Sequence, residues 1–153
     1  MRLSAIALAI LGLAASGAAG VAAYARLAPV DPAAWHVDPA GVTKPAAPNN
    51  WLVAEGGDAP PLRLDSDPAT VAARLGAVAE ATPRTRLVAG RGVFATYETR
   101  SLVFGFPDYT SVRVAPDGAG SVVTAFARAR FGYSDMGVNR ARLERWMAAL
   151  AGP

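Results

Sequence analysis

An uncharged run from Leu3 to Ala25, entered through Met1-Arg2 and closed by Arg26, constrains this chain more than any other feature. A helix of about 20 apolar residues crosses a bilayer, so the run is long enough to span one. A buried soluble helix would have to be apolar all round at the extreme terminus, which is a poor alternative. The basic start, the apolar middle and the small-x-small step Ala23-Tyr24-Ala25 equally fit a secretory signal cut before Arg26. Anchor or signal, residues 1–26 export the remainder, because the positive-inside rule keeps Arg2 in the cytoplasm. The expected location is the cell envelope, with the rest of the chain periplasmic, either held at the membrane by this segment or released into that compartment.

The 12 prolines include Pro29, Pro32, Pro39, Pro45 and Pro48, all between the apolar run and Trp51. With the Asp31-Pro32 and Asp38-Pro39 pairs and no apolar periodicity, residues 27–50 read as an extended, partly stiff spacer. Trp35 and Trp51 are exceptions, able to dock on the domain or lie at a membrane interface, with docking preferred for Trp51. Residues 51–153 then form one domain, since a chain of 153 residues hardly holds two cores.

Inventory excludes much chemistry. The chain has no cysteine, which removes disulfides, thiolate nucleophiles and cysteine metal sites. Its single histidine, His36, falls in the spacer, so a histidine-dependent triad or multi-histidine metal site within the domain is excluded, and no cofactor or metal is expected. The only lysine is Lys44, so the formal net charge of +3 rests on arginine, whose guanidinium suits bidentate contacts with carboxylate or phosphate. Nucleic acid is not an expected partner despite the basic balance, because export removes the chain from it and aromatic residues are not interleaved with the basic ones.

Pro61 to Leu64 alternates as a short strand, and Asp67-Pro68 offers an N-cap followed by proline at the first helical position. Val71, Leu75 and Val78 recur at helical spacing until Pro83 stops the helix. Arg84 to Ala89 and Val93 to Thr99 read as a hairpin around Gly90-Arg91-Gly92. Leu102, Phe104 and Phe106 share one face of a further extended segment, which Pro107-Asp108 interrupts before Thr110, Val112 and Val114 resume it. After the turn Pro116-Asp117-Gly118, Ser121 to Phe131 returns as a strand, apolar at odd positions, with Arg128 and Arg130 leaving by the other face. A last helix is capped by Asn139, stapled by Val138 and Leu143, and carries a stripe of Leu143, Trp146, Met147 and Leu150. The implied class is α+β: an antiparallel β-meander sheet with two helices packed on it, preceded by the apolar helix and the Pro-rich linker.

Two motifs mislead. Gly90-Arg91-Gly92-Val93-Phe94-Ala95 has the spacing of a dinucleotide fingerprint, but a strand follows where a helix is required. Gly132 to Gly137 imitates a nucleophile elbow with one residue too many, and the domain has no histidine to activate Ser134.

A polar cluster remains. The candidate ligand-binding set is Arg100, Asp108, Arg128, Arg130, Ser134, Asp135, Asn139, Arg140 and Arg142. Arg140 and Arg142 occupy a first helical turn, where the macrodipole disfavours cations by roughly 0.3–1 kcal/mol each, so negative charge is expected nearby. Asp108 and Asp135 supply it internally, or an anionic ligand does. The apolar neighbours Phe131, Tyr133, Met136 and Val138 favour burial of Asp135, with Arg140 or Arg142 as its partner or the Asn139 cap as its link to them.

Phe106-Pro107-Asp108-Tyr109, the run from Arg128-x-Arg130 through Ser134-Asp135-Met136-Gly137-Val138-Asn139-Arg140-Ala141-Arg142, and Trp146 together resemble the signature of the DUF1499 family, a domain of unknown function. The resemblance covers roughly Trp51 to the end and implies an N-terminal membrane segment, as similar proteins have, but no activity. Similar proteins usually carry Ser-Arg-Ser-Arg where Ala127-Arg128-Ala129-Arg130 stands, so the hydroxyls are missing while the arginines, Asp108, Asp135, Gly137 and Asn139 carry over.

The leading expectation is a non-catalytic envelope module that binds an anionic ligand, a lipid head group or a protein partner through an arginine-rich face. The alternatives are a hydrolase or transferase using Asp108 or Asp135 as acid–base, and a polar cluster that is purely structural.

Overall fold

The computed structural model describes residues 2–152, with side chains from Ser4 on; Met1, the side chain of Arg2 on which the orientation expectation turns, and Pro153 lie outside the described residues. Helix α1 (Arg2–Leu27) is followed by a short helix α2 (Pro32–Trp35) and a 3₁₀ turn (Pro39–Gly41). Then come β1 (Asn50–Val53), β2 (Leu62–Leu64), α3 (Pro68–Ala81), β3 (Thr85–Arg91), β4 (Phe94–Arg100), β5 (Pro107–Asp117), β6 (Gly120–Ala129) and α4 (Val138–Ala151). The class is α+β, as expected. The antiparallel sheet runs β1-β6-β5-β4-β3, with β2 also pairing along the outer edge of β6.

Strand alternation sorts the sheet into two faces. Ala95 and Tyr97 of β4, Val112 and Val114 of β5, and Val123, Ala125 and Ala127 of β6 pack with Val71 and Leu75 of α3 and Leu143, Trp146 and Leu150 of α4. Asp67 caps α3 by accepting from the amides of Ala69 and Thr70, and Pro68 fills the first turn. Trp146 stands edge-on to Tyr97 and donates its Nε1 to Thr82 Oγ1 at 2.9 Å, which locks α4 to the C-terminal end of α3.

The second face is where the spacer reading needs correction. Residues 35–42 are not extended into solvent but lie on the sheet. Trp35 stacks on Tyr109 with ring centroids 4.1 Å apart, His36 stacks on Phe94 at 3.8 Å, and Val37 and Val42 pack on Leu52, Ala54 and Phe126. Asp31 and Asp38 cap α2 and the 3₁₀ turn, so the two Asp-Pro pairs nucleate short turns that fold the segment back instead of stiffening it. His36, set outside the domain on sequence grounds, belongs to it.

The strand expected over Leu102 to Phe106 also differs. Leu102–Phe104 form a turn whose side chains are largely exposed, and Pro107-Asp108 opens β5 instead of interrupting it. Proline is tolerated at a strand's first residue because no ladder donor is required there. The hairpin turn between β3 and β4 falls on Gly92-Val93, between paired Arg91 and Phe94, slightly past the expected loop.

If the docked segment is part of the fold, Trp35→Ala should lower the stability of the full chain by about 2 kcal/mol, less than for a fully buried tryptophan. Denaturant melts check this. An unchanged midpoint would mean that the segment lies loose on the sheet.

Candidate functional site

The polar residues gathered by the sequence are divided by the sheet. Asp108 pairs with Thr99 across β4 and β5 and faces the helices, where Arg142 Nη2 donates to its Oδ2 at 2.9 Å. Arg142 is almost fully buried and donates Nη1 to Asn139 Oδ1 at 2.7 Å. Burial pushes the Asp108 carboxyl above the usual carboxylate range, against the opposing pull of Arg142.

Asn139, expected as the helix cap, is instead fully buried inside the first turn. The capping position is Gly137, at φ 79°, the left-handed region that the sharp approach to the helix demanded. The cap's side chain is that of Asp135, which accepts from the amides of Gly137 at 3.0 Å and Asn139 at 2.9 Å. Asp135 is only half-buried, and Tyr133 (80%), Met136 (93%) and Val138 (48%) are exposed, so they do not enclose it as expected and Val138 makes no buried staple. Asp135 makes no ion pair with either arginine; Arg140 pairs with Glu144 at 2.7 Å and lies over the Trp51 ring. The counter-charges of the first turn are therefore Asp108 and Glu144, while Asp135 serves the helix end through its amides. Ser134 is exposed and its hydroxyl accepts from the amide of Met136.

Arg128 leaves on the opposite face, under the docked segment. Its guanidinium lies between Trp35 and Phe126, 5.0 and 4.7 Å from the ring centroids, and Nη2 donates to the Trp35 carbonyl at 2.7 Å. Burial pushes its pKa down to about 10, so it remains charged at neutral pH. Arg130, just past the strand, lies over Phe131, and Nη1 of each arginine is buried without a hydrogen-bond partner.

Beside Arg128 a hydroxyl chain sets the hydrogen-bonding role of His36 Nδ1. Ser111 Oγ donates to the Trp35 carbonyl, so Thr96 must donate to Ser111 and accept from His36 Nδ1, which therefore carries a proton. Ser111 and Thr96 are fully buried and committed, so no histidine-activated nucleophile arises here.

The strongest electrostatic feature was not foreseen. Glu98 is fully buried on this second face, with Oε2 receiving Arg86 Nε at 2.6 Å and Oε1 receiving Arg100 Nη2 at 2.8 Å and the Tyr109 hydroxyl at 3.3 Å. Arg100 Nη1 donates in addition to the carbonyls of Ala25 and Gly105, tying α1 and the β4–β5 loop to the sheet.

Two cavities adjoin at this end of the sheet. One, of about 430 Å³, is lined by Arg84, Arg100, Asp108, Arg142 and Arg145, with Thr99 and Val138 among its walls. The other, of about 400 Å³, is lined by Arg26, Arg84, Arg86, Glu98 and Arg100. Arg84, Arg100, Ser101 and Leu102 border both, and Arg84 is one of two non-glycine residues at positive φ (60°) among the described residues. Of the expected set, Arg100, Asp108 and Arg142 meet here; Arg128, Arg130, Ser134, Asp135, Asn139 and Arg140 lie elsewhere. Arg26, Arg84, Arg86, Glu98 and Arg145 were missed. Among the described residues no group of three or more His, Asp or Glu side chains is placed to hold a metal ion.

The profile of the family described as "Protein of unknown function (DUF1499)" matches residues 38–150. The chain belongs to that family. The match begins before Trp51, so the DUF1499 unit includes the 3₁₀ turn and Val42, while Trp35 to Val37, which complete the cover of the second face, precede it. No curated protein and no solved structure matches the chain.

A double-mutant cycle separates the two aspartates of this DUF1499 domain. Asp108→Ala and Arg142→Ala should each cost about 3–5 kcal/mol with strong coupling, because either change strands a buried charge. Asp135→Ala should cost about 1 kcal/mol, the worth of a cap, with coupling to Arg140→Ala near zero. Equal costs for the two aspartates would contradict the division of roles.

Proposed function

We propose that this DUF1499 protein is a membrane-anchored, extracytoplasmic module that binds a phosphate-bearing anion in the double cleft beside its anchor. The observation that carries the reading is a charge imbalance. Six arginines and two carboxylates line the adjoining cavities, and both carboxylates are already paired, Glu98 with Arg86 and Arg100, Asp108 with Arg142. Arg26, Arg84 and Arg145 have no carboxylate partner among the described residues. Guanidinium forks on low-dielectric walls favour an anion, and phosphate oxygens match their geometry.

The anchored form is preferred to a cleaved signal because Ala25, at the cleavage step, is fully buried and its carbonyl holds Arg100. Helix α1 is long and apolar enough over Ser4–Leu27 to cross a membrane. Acid–base chemistry at Asp108 is the second reading, favoured by its raised pKa within a cavity. Burial and, in smaller part, the charge of Asp135 raise Asp108, but Asp135 is committed to the amides of Gly137 and Asn139 and lines a different cavity, and Glu98 lies on the other sheet face.

Full-length protein in phosphatidylcholine nanodiscs, titrated with inorganic phosphate and separately with a short-chain phosphatidylglycerol, tests the proposal. Binding of at least one is expected, weakened about tenfold or more when Arg84 and Arg145 are both changed to Ala, given that hydrogen bonds to charged groups contribute about 1.5–3 kcal/mol. Arg128→Met, which lines neither cavity, should bind as the parent does. Phosphate without the lipid would identify a soluble anion, and the reverse a headgroup. Absence of both, or indifference to the Arg84/Arg145 pair, would overturn the proposal.

A further inference from the structure

The alternation Leu102, Phe104, Phe106 has the pattern of a strand that buries one face, yet the structure makes it a turn that the protein does not cover. Leu102 is 73% exposed, Val103 70% and Phe104 36%. The β6–α4 loop at the same end exposes Tyr133 and Met136 still further. Isolated apolar residues on a surface need no explanation, but two neighbouring loops with this much uncovered apolar surface do.

Their position relative to α1 supplies the occupant. Arg26 Nη2 donates to the Val103 carbonyl at 2.9 Å, Arg100 bridges Ala25 and Gly105, and the Tyr24 ring lies 5.7 Å from that of Phe131, which in turn meets Phe106. Both loops are therefore attached to the final turn of the apolar helix. A hydrocarbon core of about 30 Å takes about 20 helical residues at 1.5 Å each. Counted from Ser4, that length ends near Ala23, which leaves Tyr24 and Arg26 at the depth where tyrosine and arginine settle, the membrane–water interface. Residues that touch Tyr24 and Arg26 sit at the same depth.

We infer that the β4–β5 loop (101–106) and the β6–α4 loop (130–137) rest in the outer interface of the same bilayer that α1 crosses. Leu102, Val103, Phe104 and Tyr133 enter the acyl boundary there, and Arg26 and Arg84 lie among the headgroups. The domain then stands on its anchor end, with the arginine-lined cavities opening toward lipid phosphates and the β5–β6 turn farthest from the membrane. The inference rests on α1 being a span, but not on any ligand occupying the cleft.

The absence of native cysteine allows a depth measurement on the full chain. Single variants Leu13→Cys, Val103→Cys, Tyr133→Cys and Ala119→Cys, each labelled with bimane, are reconstituted in vesicles and quenched with dibrominated phosphatidylcholine or with aqueous iodide. Leu13 reports the span and Ala119 the distal turn. The labels at positions 103 and 133 should lose most of their fluorescence to the brominated lipid and little to iodide, while that at 119 shows the reverse. If position 13 is quenched by lipid but 103 and 133 behave like 119, the inference fails and the span stands. If position 13 itself is quenched by iodide, the span fails and the inference with it. Protection of 103 and 133 from both quenchers would mean that a protein covers the loops, which also overturns it.

Discussion

The buried carboxylate of Glu98 and the guanidinium of Arg100 are the contact on which the arrangement of this DUF1499 chain depends. A carboxylate without exposure persists only when its charge is met, and here two arginines and a tyrosine hydroxyl meet it. Arg100, once fixed by Glu98, has its other nitrogen free to hold Ala25 at the end of α1 and Gly105 in the apolar loop. One ion pair thus sets helix α1, the loop beside it and the wall shared by both cavities. Breaking it would leave a buried charge and also uncouple the domain from α1.

The second condition is that the sheet is covered twice. The helices shield one face in the ordinary way of an α+β domain, and the Trp35 to Val42 segment shields most of the other. This is why Thr96, Ser111 and Glu98 are buried although they alternate with core residues. The hydroxyl chain from His36 to the Trp35 carbonyl and the Arg128 guanidinium between two rings are the polar terms of that second interface. They satisfy or screen groups that a helix-free face would otherwise leave in water.

What was legible in the sequence follows from these two layers. Helix α3 was readable because Asp67-Pro68 and the spacing of Val71 and Leu75 act within one element, and the strands β5 and β6 because their core faces alternate strictly. The second layer was not, since nothing local in a proline-rich stretch says that Trp35 will stack on Tyr109, more than seventy residues away. Without that cover in view, Glu98 stayed outside the candidate set. The same gap put His36 outside the domain and placed Arg128 beside Arg142, which the sheet in fact separates. The Asn139 cap failed for a smaller reason: the helix starts earlier, where Asp135, two residues before the glycine, accepts from the amides of Gly137 and Asn139, so the Asn139 side chain turns inward to Arg142.

If Glu98 and Arg100 hold α1 to the sheet, the distance between α1 and the far end of the domain must be single-valued in the native chain and lose that character when the pair is broken. Nitroxides at Leu13→Cys and Ala119→Cys, measured by pulsed dipolar spectroscopy in nanodiscs, read it directly. The account predicts one narrow distance distribution in the otherwise native protein and a broad one after Arg100→Leu, with the domain still folded by circular dichroism. A broad distribution in the parent, or a narrow one that survives Arg100→Leu, would contradict it.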